Sequence, residues 1–376
     1  MPFAKKPKEV VVPKAEVVRP VSLAARFKAI AELSEQMDAK HHTTNSLVRM
    51  GTKVLKPIEH TPTGMPTFDN IVLGCGGWPD GRVIEIFGPE SSGKTTTTLH
   101  SIAQEQKAGG IAAFVDAEHA ISLPYAATLG VDVDNLVLSQ PGSGEEALDI
   151  VINLVKSMAV SLIVVDSVSA LVPEAELAGE ITDANVGLQA RMMSKAMRML
   201  VGIAERNKVK VIFINQIREK IGTMFGNPET TSGGRALKFY SSVRIDVRRR
   251  DVIKDGTADT APIVGHKIEL KAVKNKVGTP MRSTVVDLYY PGTRFASGFD
   301  MIGDTVTYAS KMGLFEMSGS WYHMDIGNGV VEKVANGLPN LKERLRGDDK
   351  AMAEVNKRIA EYRVMEAEAT KKGEVI

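Results

Sequence analysis

Gly88-Pro89-Glu90-Ser91-Ser92-Gly93-Lys94-Thr95 reads as G-x-x-x-x-G-K-[ST], and this stretch decides the fold. An apolar run, Val83-Ile-Glu-Ile-Phe87, precedes it and reads as a strand; Thr95–Gln106 follows and reads as a helix. Glycines let successive backbone N–H groups curl around an anion with no Cβ in the way. The helix N-terminus adds its dipole. Lys94 then reaches the β- and γ-phosphates, and Thr95 offers a hydroxyl to Mg²⁺. From average residue usage, a chance match in a chain this long is on the order of 1–2%. A bare glycine turn is the competing reading, and the strand–helix context argues against it. The stretch is a nucleoside triphosphate site.

Working outward, short apolar runs at Ala112–Val115, Leu136–Leu138, Leu162–Val165 and Val209–Ile214 read as further strands. Helical stretches at Gly144–Ser157 and Gly187–Asn207 lie between them. Buried strands alternating with helices predict a parallel sheet covered on both faces. Leu162-Ile-Val-Val-Asp166 ends a strand in a carboxylate. Such an Asp is commonly only a helix cap; downstream of a P-loop it acquires a magnesium role. Asp116-Ala-Glu118-His119 follows another strand, at the edge where an open α/β sheet gathers its ligands. A carboxylate there orients water for in-line attack, although Glu118 alone reads equally as a surface acid. Asn215-Gln216 ends a fourth strand with a neutral amide suited to sensing the γ-phosphate. Four strand ends converging on one nucleotide carry more weight than any one of them.

Composition sets outer bounds. The 376 residues are 43% hydrophobic and 24% charged, which excludes a disordered or collagen-like chain. Lys and Arg total 47 against 45 Asp and Glu, so a histone-like polycation is excluded while a local basic groove is not. The single Cys75 forbids an intrachain disulfide. No apolar run suits a membrane span or a secretion signal, so a cytosolic protein is expected. Residues 1–21 read as a flexible basic arm. Residues 22–54 read as a helix and linker, with Leu23, Phe27, Ile30 and Leu33 at helical spacing. That stripe packs either on its own domain or on a neighbouring subunit. The core is expected over 55–290, with closely spaced strands at Lys267–Val273 and Ser283–Tyr289. A small α/β segment over 291–365 ends in a charged helix near Asp349–Ala367, and 366–376 reads as a tail.

Several longer strings resemble the bacterial RecA recombinase family. They are Gly88–Thr95, Asp116-Ala-Glu-His119, Val165-Asp-Ser-Val168, Ala190-Arg-Met-Met-Ser194 and Phe213-Ile-Asn-Gln-Ile-Arg218. Met224-Phe-Gly-Asn-Pro-Glu-Thr-Thr231, Gly233-Gly234, Ala236-Leu-Lys-Phe-Tyr240 and Val273-Lys-Asn-Lys276 complete the set. The resemblance spans roughly residues 22–335 and is thin at both ends. It implies an α/β P-loop NTPase core with a mainly parallel twisted sheet. An N-terminal oligomerisation helix and a small C-terminal α/β domain flank that core. The implied activity is a DNA-dependent ATPase with ATP and Mg²⁺ as cofactors. It would form a helical filament of its own copies on single-stranded DNA, pair that strand with homologous duplex and exchange strands. A filament that serves mainly as a platform for repressor self-cleavage is the alternative. LexA-like repressors and a single-strand-binding protein are the implied partners. The expected location is the bacterial cytoplasm, or that of an infected host if the gene is viral.

By the same resemblance, Glu118 activates the attacking water, and Gln216 links the γ-phosphate to the neighbouring DNA loop. Lys274 and Lys276 match lysines that reach the ATP of the adjacent subunit; without the resemblance they read as a solvated strand edge. The cradle extends from Gly88 to Thr96, with Asp166 and Thr95 at the metal. Tyr125 matches a residue that stacks on adenine, and Tyr290 lies near the base. Ser122 stands where the family commonly has an aspartate. Two DNA-facing loops match 176–186 and 219–232. Val186 and Ile221 would wedge between bases, while Ser194, Arg198, Arg218, Gly233, Gly234 and Arg235 would hold the strand. The triplet Arg248-Arg249-Arg250 reads equally as a solvated edge or a DNA contact.

Overall fold

Leu162, Val164, Ile163 and Val165 show how the sequence builds the sheet. Leu162 and Val164 join a cluster with Ile84, Ile86, Phe114 and Ile212. Ile163 and Val165 join a second, with Val83, Val115, Val211 and Phe213. Successive side chains in a strand point to opposite faces, so a near-continuous apolar run makes a strand buried on both. Each such side chain contributes about 1.5–3 kcal/mol relative to exposure.

The structure is a computed structural model that describes residues 22–41, 46–47, 58–180, 187–219, 229–325 and 330–372. The chain divides into two compact units, 1–57 and 58–376. In the first, α1 (Leu23–His41) is opened by Ser22, whose Oγ accepts from Ala25 N at 3.1 Å. Leu23, Ile30 and Leu33 of its stripe are exposed, and Phe27 is half-buried. The arm and most of the linker lie outside the described residues.

The second unit begins with an antiparallel pair, β1 (His60–Thr61) and β2 (Trp78–Pro79). Then come β3 (Val83–Gly88), α2 (Lys94–Lys107), β4 (Ala112–Asp116), α3 (Leu123–Thr128), β5 (Val137–Ser139) and α4 (Gly144–Ser157). They are followed by β6 (Leu162–Asp166), α5 (Glu174–Leu177), α6 (Leu188–Asn207) and β7 (Lys210–Glu219). After β8 (Glu229–Thr231) and α7 (Ala236–Tyr240) come β9 (Val243–Lys254), β10 (Ile263–Asn275), β11 (Ser283–Tyr289) and β12 (Gly298–Phe299). The chain closes with α8 (Met301–Lys311), β13 (Glu316–Ser318), β14 (Trp321–Asp325), β15 (Val331–Asn336), α9 (Leu338–Arg346) and α10 (Asp349–Lys372).

The main sheet runs β12-β11-β10-β9-β3-β7-β6-β4-β5, with β8 beside β7 off this path. The expected parallel arrangement holds from β9 to β5, and β10 to β12 extend it antiparallel. Leu99 and Ile102 of α2 cover one face; Val151 and Val155 of α4 and Met193, Met197 and Leu200 of α6 cover the other. Met193 and Met197 fill the core, whereas Met199 is exposed. Beyond β12, Tyr308, Phe315, Tyr322, Leu341 and Val355 form a third cluster, against which Ile71 packs. The last helix runs through Lys372, beyond the expected end at Ala367, so the start of the expected tail is helical. No described helix is long and apolar enough to cross a membrane.

Two buried acids brace the segment before β2, Asp69 from within it and Asp304 from α8. Both carboxylate oxygens of Asp69 accept from Thr63 N, at 3.1 and 3.0 Å. Asp304 accepts from Thr67 N at 2.9 Å and from the Thr67 hydroxyl. Burial pushes the Asp69 carboxyl up to about 7 and that of Asp304 up to about 6. The folded chain therefore holds protons that the unfolded chain releases near pH 4. Stability from this pair is full below about pH 4 and is lost as pH rises through 6–7. Thermal melts of Asp69→Asn should show a flatter decline between pH 4 and 8 than the parent chain; parallel profiles would count against the assignment.

Candidate nucleotide site at the sheet edge

Gly88 closes β3 where its neighbour β9 comes close: a Cβ there would sit 2.2 Å from Val247 O, so no larger residue fits. Gly93 takes a φ of +94° as the N-cap of α2, a left-handed turn that aims the first helical amides into the loop. Lys94, the next residue, is buried, and its Nζ donates to Gly88 O at 3.2 Å and to Pro89 O at 2.6 Å. Burial lowers its pKa, while the charges of Asp166, Glu118 and Glu90 oppose that shift. Ser92 Oγ is buried with no hydrogen-bond partner among the described residues. A buried polar atom left unpaired in such a loop suits an incoming polar ligand.

Across from α2, the end of β6 supplies Asp166, whose Oδ2 accepts from Thr95 Oγ1 at 2.8 Å. Burial pushes the Asp166 carboxyl up to about 6, and nearby Glu118 adds to this against Thr95 and Lys94. A carboxylate destabilised by burial beside a hydroxyl is a hard-oxygen pair that a divalent cation would relieve. No group of three or more His, Cys, Asp or Glu side chains suited to a metal occurs among the described residues. The hydroxyl of Thr95 and the carboxylate of Asp166 are oxygen donors that fit Mg²⁺, which keeps several waters and takes its other oxygens from phosphates.

The loop forms one wall of a cavity of about 230 Å³. Tyr125 and Tyr290, both expected near the base, line it. Tyr125 Oη lies 3.1 Å from Thr96 Oγ1, and Tyr290 Oη is hydrogen-bonded to His266 Nδ1. Ser122 acts as the N-cap of α3, its Oγ accepting from Tyr125 N at 3.3 Å. Four lining residues were not legible as site residues: Arg249, His266, Ile268 and Leu288. They come from β9, β10 and β11, which antiparallel pairing brings opposite the loop. Within the basic triplet, Arg248 pairs with Glu229 and Asp246, and the exposed Arg250 with Glu269.

A second group forms beyond the ends of β4 and β6 and at Gln216 of β7, a strand that runs on to Glu219 rather than ending at Asn215-Gln216. Gln216 Nε2 donates to Glu118 Oε1 at 2.9 Å, and Ser167 Oγ donates to the same oxygen. Asp116, by contrast, accepts from Ala120 N and Ile121 N at 3.2 Å and so holds the turn after β4. Asn215 Nδ2 reaches Glu85 Oε1 at 2.9 Å and Ser232 O at 3.0 Å. Gln189 of α6 binds Val168 O and Leu171 O and accepts from Gly233 N at 3.1 Å. Asn215, next to Gln216, and Gln189, bonded beside Ser167 at Val168, thus hold the chain at Ser232 and Gly233. Asn215 and Gln189 were missed because an amide in a sequence carries no mark of its partner.

The other sequence-predicted residues are distributed as follows. Arg218 Nε donates to Ser232 Oγ at 2.9 Å. Ser194 is half-buried and Arg198 exposed on α6; Gly233 is buried, Gly234 and Arg235 exposed. Val186 and Ile221 lie outside the described residues. Lys274 and Lys276 are not at this chain's own cavity. Lys274 sits opposite Arg244, which pairs with Glu85, three positions before Gly88 along β3. Its Nζ donates to Lys238 O and Phe239 O at 2.7 and 2.9 Å, and Lys276 is exposed.

Comparison with known proteins bears on the family of the chain. The family model described as the RecA N-terminal domain matches residues 28–294. Protein RecA of Acholeplasma laidlawii is 48% identical over 328 residues, covering 87% of this chain and 95% of the relative. Protein RecA of Frankia alni is 48% identical over 336 residues, covering 89% and 92%. A crystal structure of the RadB recombinase aligns with a TM-score of 0.48 and 20% identity, over 64% of this chain and 98% of that one. A family model across most of the chain, and near-half identity along almost the whole length of its relatives, place this chain in the RecA family.

Proposed function

We propose that the chain is an ATP-dependent homologous recombination protein that polymerises on single-stranded DNA, pairs it with homologous duplex and exchanges strands. One observation carries the reading: the carboxylate best placed to orient water, Glu118, is hydrogen-bonded through Gln216 to the strand that leads into the expected DNA loop. ATP lies with its triphosphate along Gly88–Thr96 and its base between Tyr125 and Tyr290. Lys94 leaves the loop carbonyls for the β- and γ-phosphates. Glu118 accepts a proton from water aligned with the γ-phosphorus; the new P–O bond forms as the bond to the β-phosphate oxygen breaks, releasing ADP. Thr95 and Asp166 would hold Mg²⁺, which when bound neutralises charge between the β- and γ-phosphates.

DNA runs along Ser194, Arg198, Arg218 and Gly233–Arg235, whose amides and guanidinium groups hold phosphates without reading sequence. Val186 and Ile221 belong to the same path. Lys274 and Lys276 complete the ATP site of an adjacent copy, which makes hydrolysis dependent on the filament. The exposed stripe of α1 packs on that neighbour. The segments act as arm (1–21), oligomerisation helix and linker (22–54), ATPase core (55–290), small domain (291–365) and tail (366–376), in the cytoplasm.

ATP turnover should rise at least about tenfold on adding single-stranded DNA. That stimulation should fall with salt, as counterion release loses its drive. Phosphate release with and without an oligonucleotide, alongside electron microscopy of the same samples, checks it. A chain that stays monomeric and silent with both ligands present would refute the reading.

A further inference from the structure

Strand alternation splits the triplet on β9. Arg248 and Arg250 belong to the face that carries acids: Arg248 Nη2 lies 2.6 Å from Glu229 Oε2, and Arg250 Nε lies 3.0 Å from Glu269 Oε2. Arg249 faces the other way. It lines the cavity beside the P-loop, and its Nη2 donates to Ser91 O at 3.2 Å. Among the described residues no carboxylate lies within ion-pair distance of it. Lys94 is held in the same manner, on Gly88 O and Pro89 O. Two cations therefore face one small cavity, each resting on neutral carbonyls of the same loop. An ionised oxygen is about twice as strong a partner for a guanidinium as a carbonyl is.

Height along the cavity separates a phosphate role from a base role. Arg249 is paired in register with Ile268, and Ile268 and Leu288 lie within 3.9 Å of the place where a Cβ on Gly93 would be. Arg249 thus stands level with the phosphate loop, whereas His266 and Tyr290 form the next part of the wall. Burial and the nearby charge of Arg249 together hold His266 below its ordinary pKa, which agrees with a guanidinium close to that wall.

We propose that Arg249 is a phosphate-contacting residue of its own chain's nucleotide site, its guanidinium moving from Ser91 O to an oxygen of the bound triphosphate. The proposal rests on reading the cavity as a nucleotide site. It adds a second cation in cis, on a strand remote in sequence from the loop, and gives the planar guanidinium the oxyanion it suits.

Calorimetric titration of the full chain with ATP, inorganic tripolyphosphate and adenosine tests it, using Arg249→Gln, Arg249→Lys and Lys94→Ala. Arg249→Gln should bind ATP and tripolyphosphate at least about tenfold more weakly, with adenosine binding and melting temperature unchanged. Arg249→Lys, which retains charge and guards against a misfolded Gln variant, should recover part of the loss. The proposal is overturned if Arg249→Gln binds ATP and tripolyphosphate as the parent does and loses affinity only for DNA. It is equally overturned if adenosine affinity falls as much as ATP affinity, since that marks a structural wall. If Lys94→Ala loses ATP while Arg249→Gln keeps it, this inference alone fails. If the parent binds neither ATP nor tripolyphosphate, the nucleotide reading fails with it.

Discussion

Lys94→Ala is expected to lower ATP turnover by at least ~10²-fold, the scale on which removing one preorganised charge donor acts. The ammonium is buried, and burial alone works against its charge. The charges of Asp166, Glu118 and Glu90 oppose that shift at the place where a triphosphate would lie. Alanine takes away the cation and leaves the carbonyls of Gly88 and Pro89 facing the phosphates with nothing between them. Steady-state phosphate release, paired with direct nucleotide binding, measures the loss. Undiminished turnover would refute the placement of the γ-phosphate.

Glu118→Gln should leave ATP binding nearly intact and slow hydrolysis by ~10²–10⁴-fold, the usual contribution of a general base. The substitution is gentle structurally. A glutamine carbonyl still accepts from Ser167 and Gln216, so the junction of β4, β6 and β7 keeps its hydrogen bonds. What disappears is the ability to take a proton from water. Filaments formed with ATP should then outlast those of the parent, as seen by light scattering after ATP is exhausted in the parent sample. Rapid hydrolysis by the variant would assign the base elsewhere.

The parallel half of the sheet was legible because its signal is local. Val83–Phe87, Ala112–Val115 and Leu162–Val165 each bury both faces, and their apolar runs say so without reference to any other part of the chain. Asp166 was legible for a related reason, since it closes such a run at the sheet edge, whereas β7 runs on past Gln216 to Glu219. The opposite wall was hidden. Whether Arg249 faces the cavity or the acids depends on the register between β9 and β10, which shifts between His266 and Ile268. That shift is a property of pairing between strands, and neither strand's sequence displays it. Lys274 illustrates a different gap: its two carbonyl partners sit on α7, thirty-six and thirty-five residues earlier, where the sequence shows only a lysine on a strand. The length of α10 was underestimated because mixed charges near the terminus read as fraying, while nothing there forbids helix.

Among the described residues, the Glu118 side chain uses one oxygen, Oε1, for both of its hydrogen bonds. The side-chain amide of Gln216 is a single movable group. Were it to turn away, Ser167 would remain the one donor to that carboxylate among the described residues.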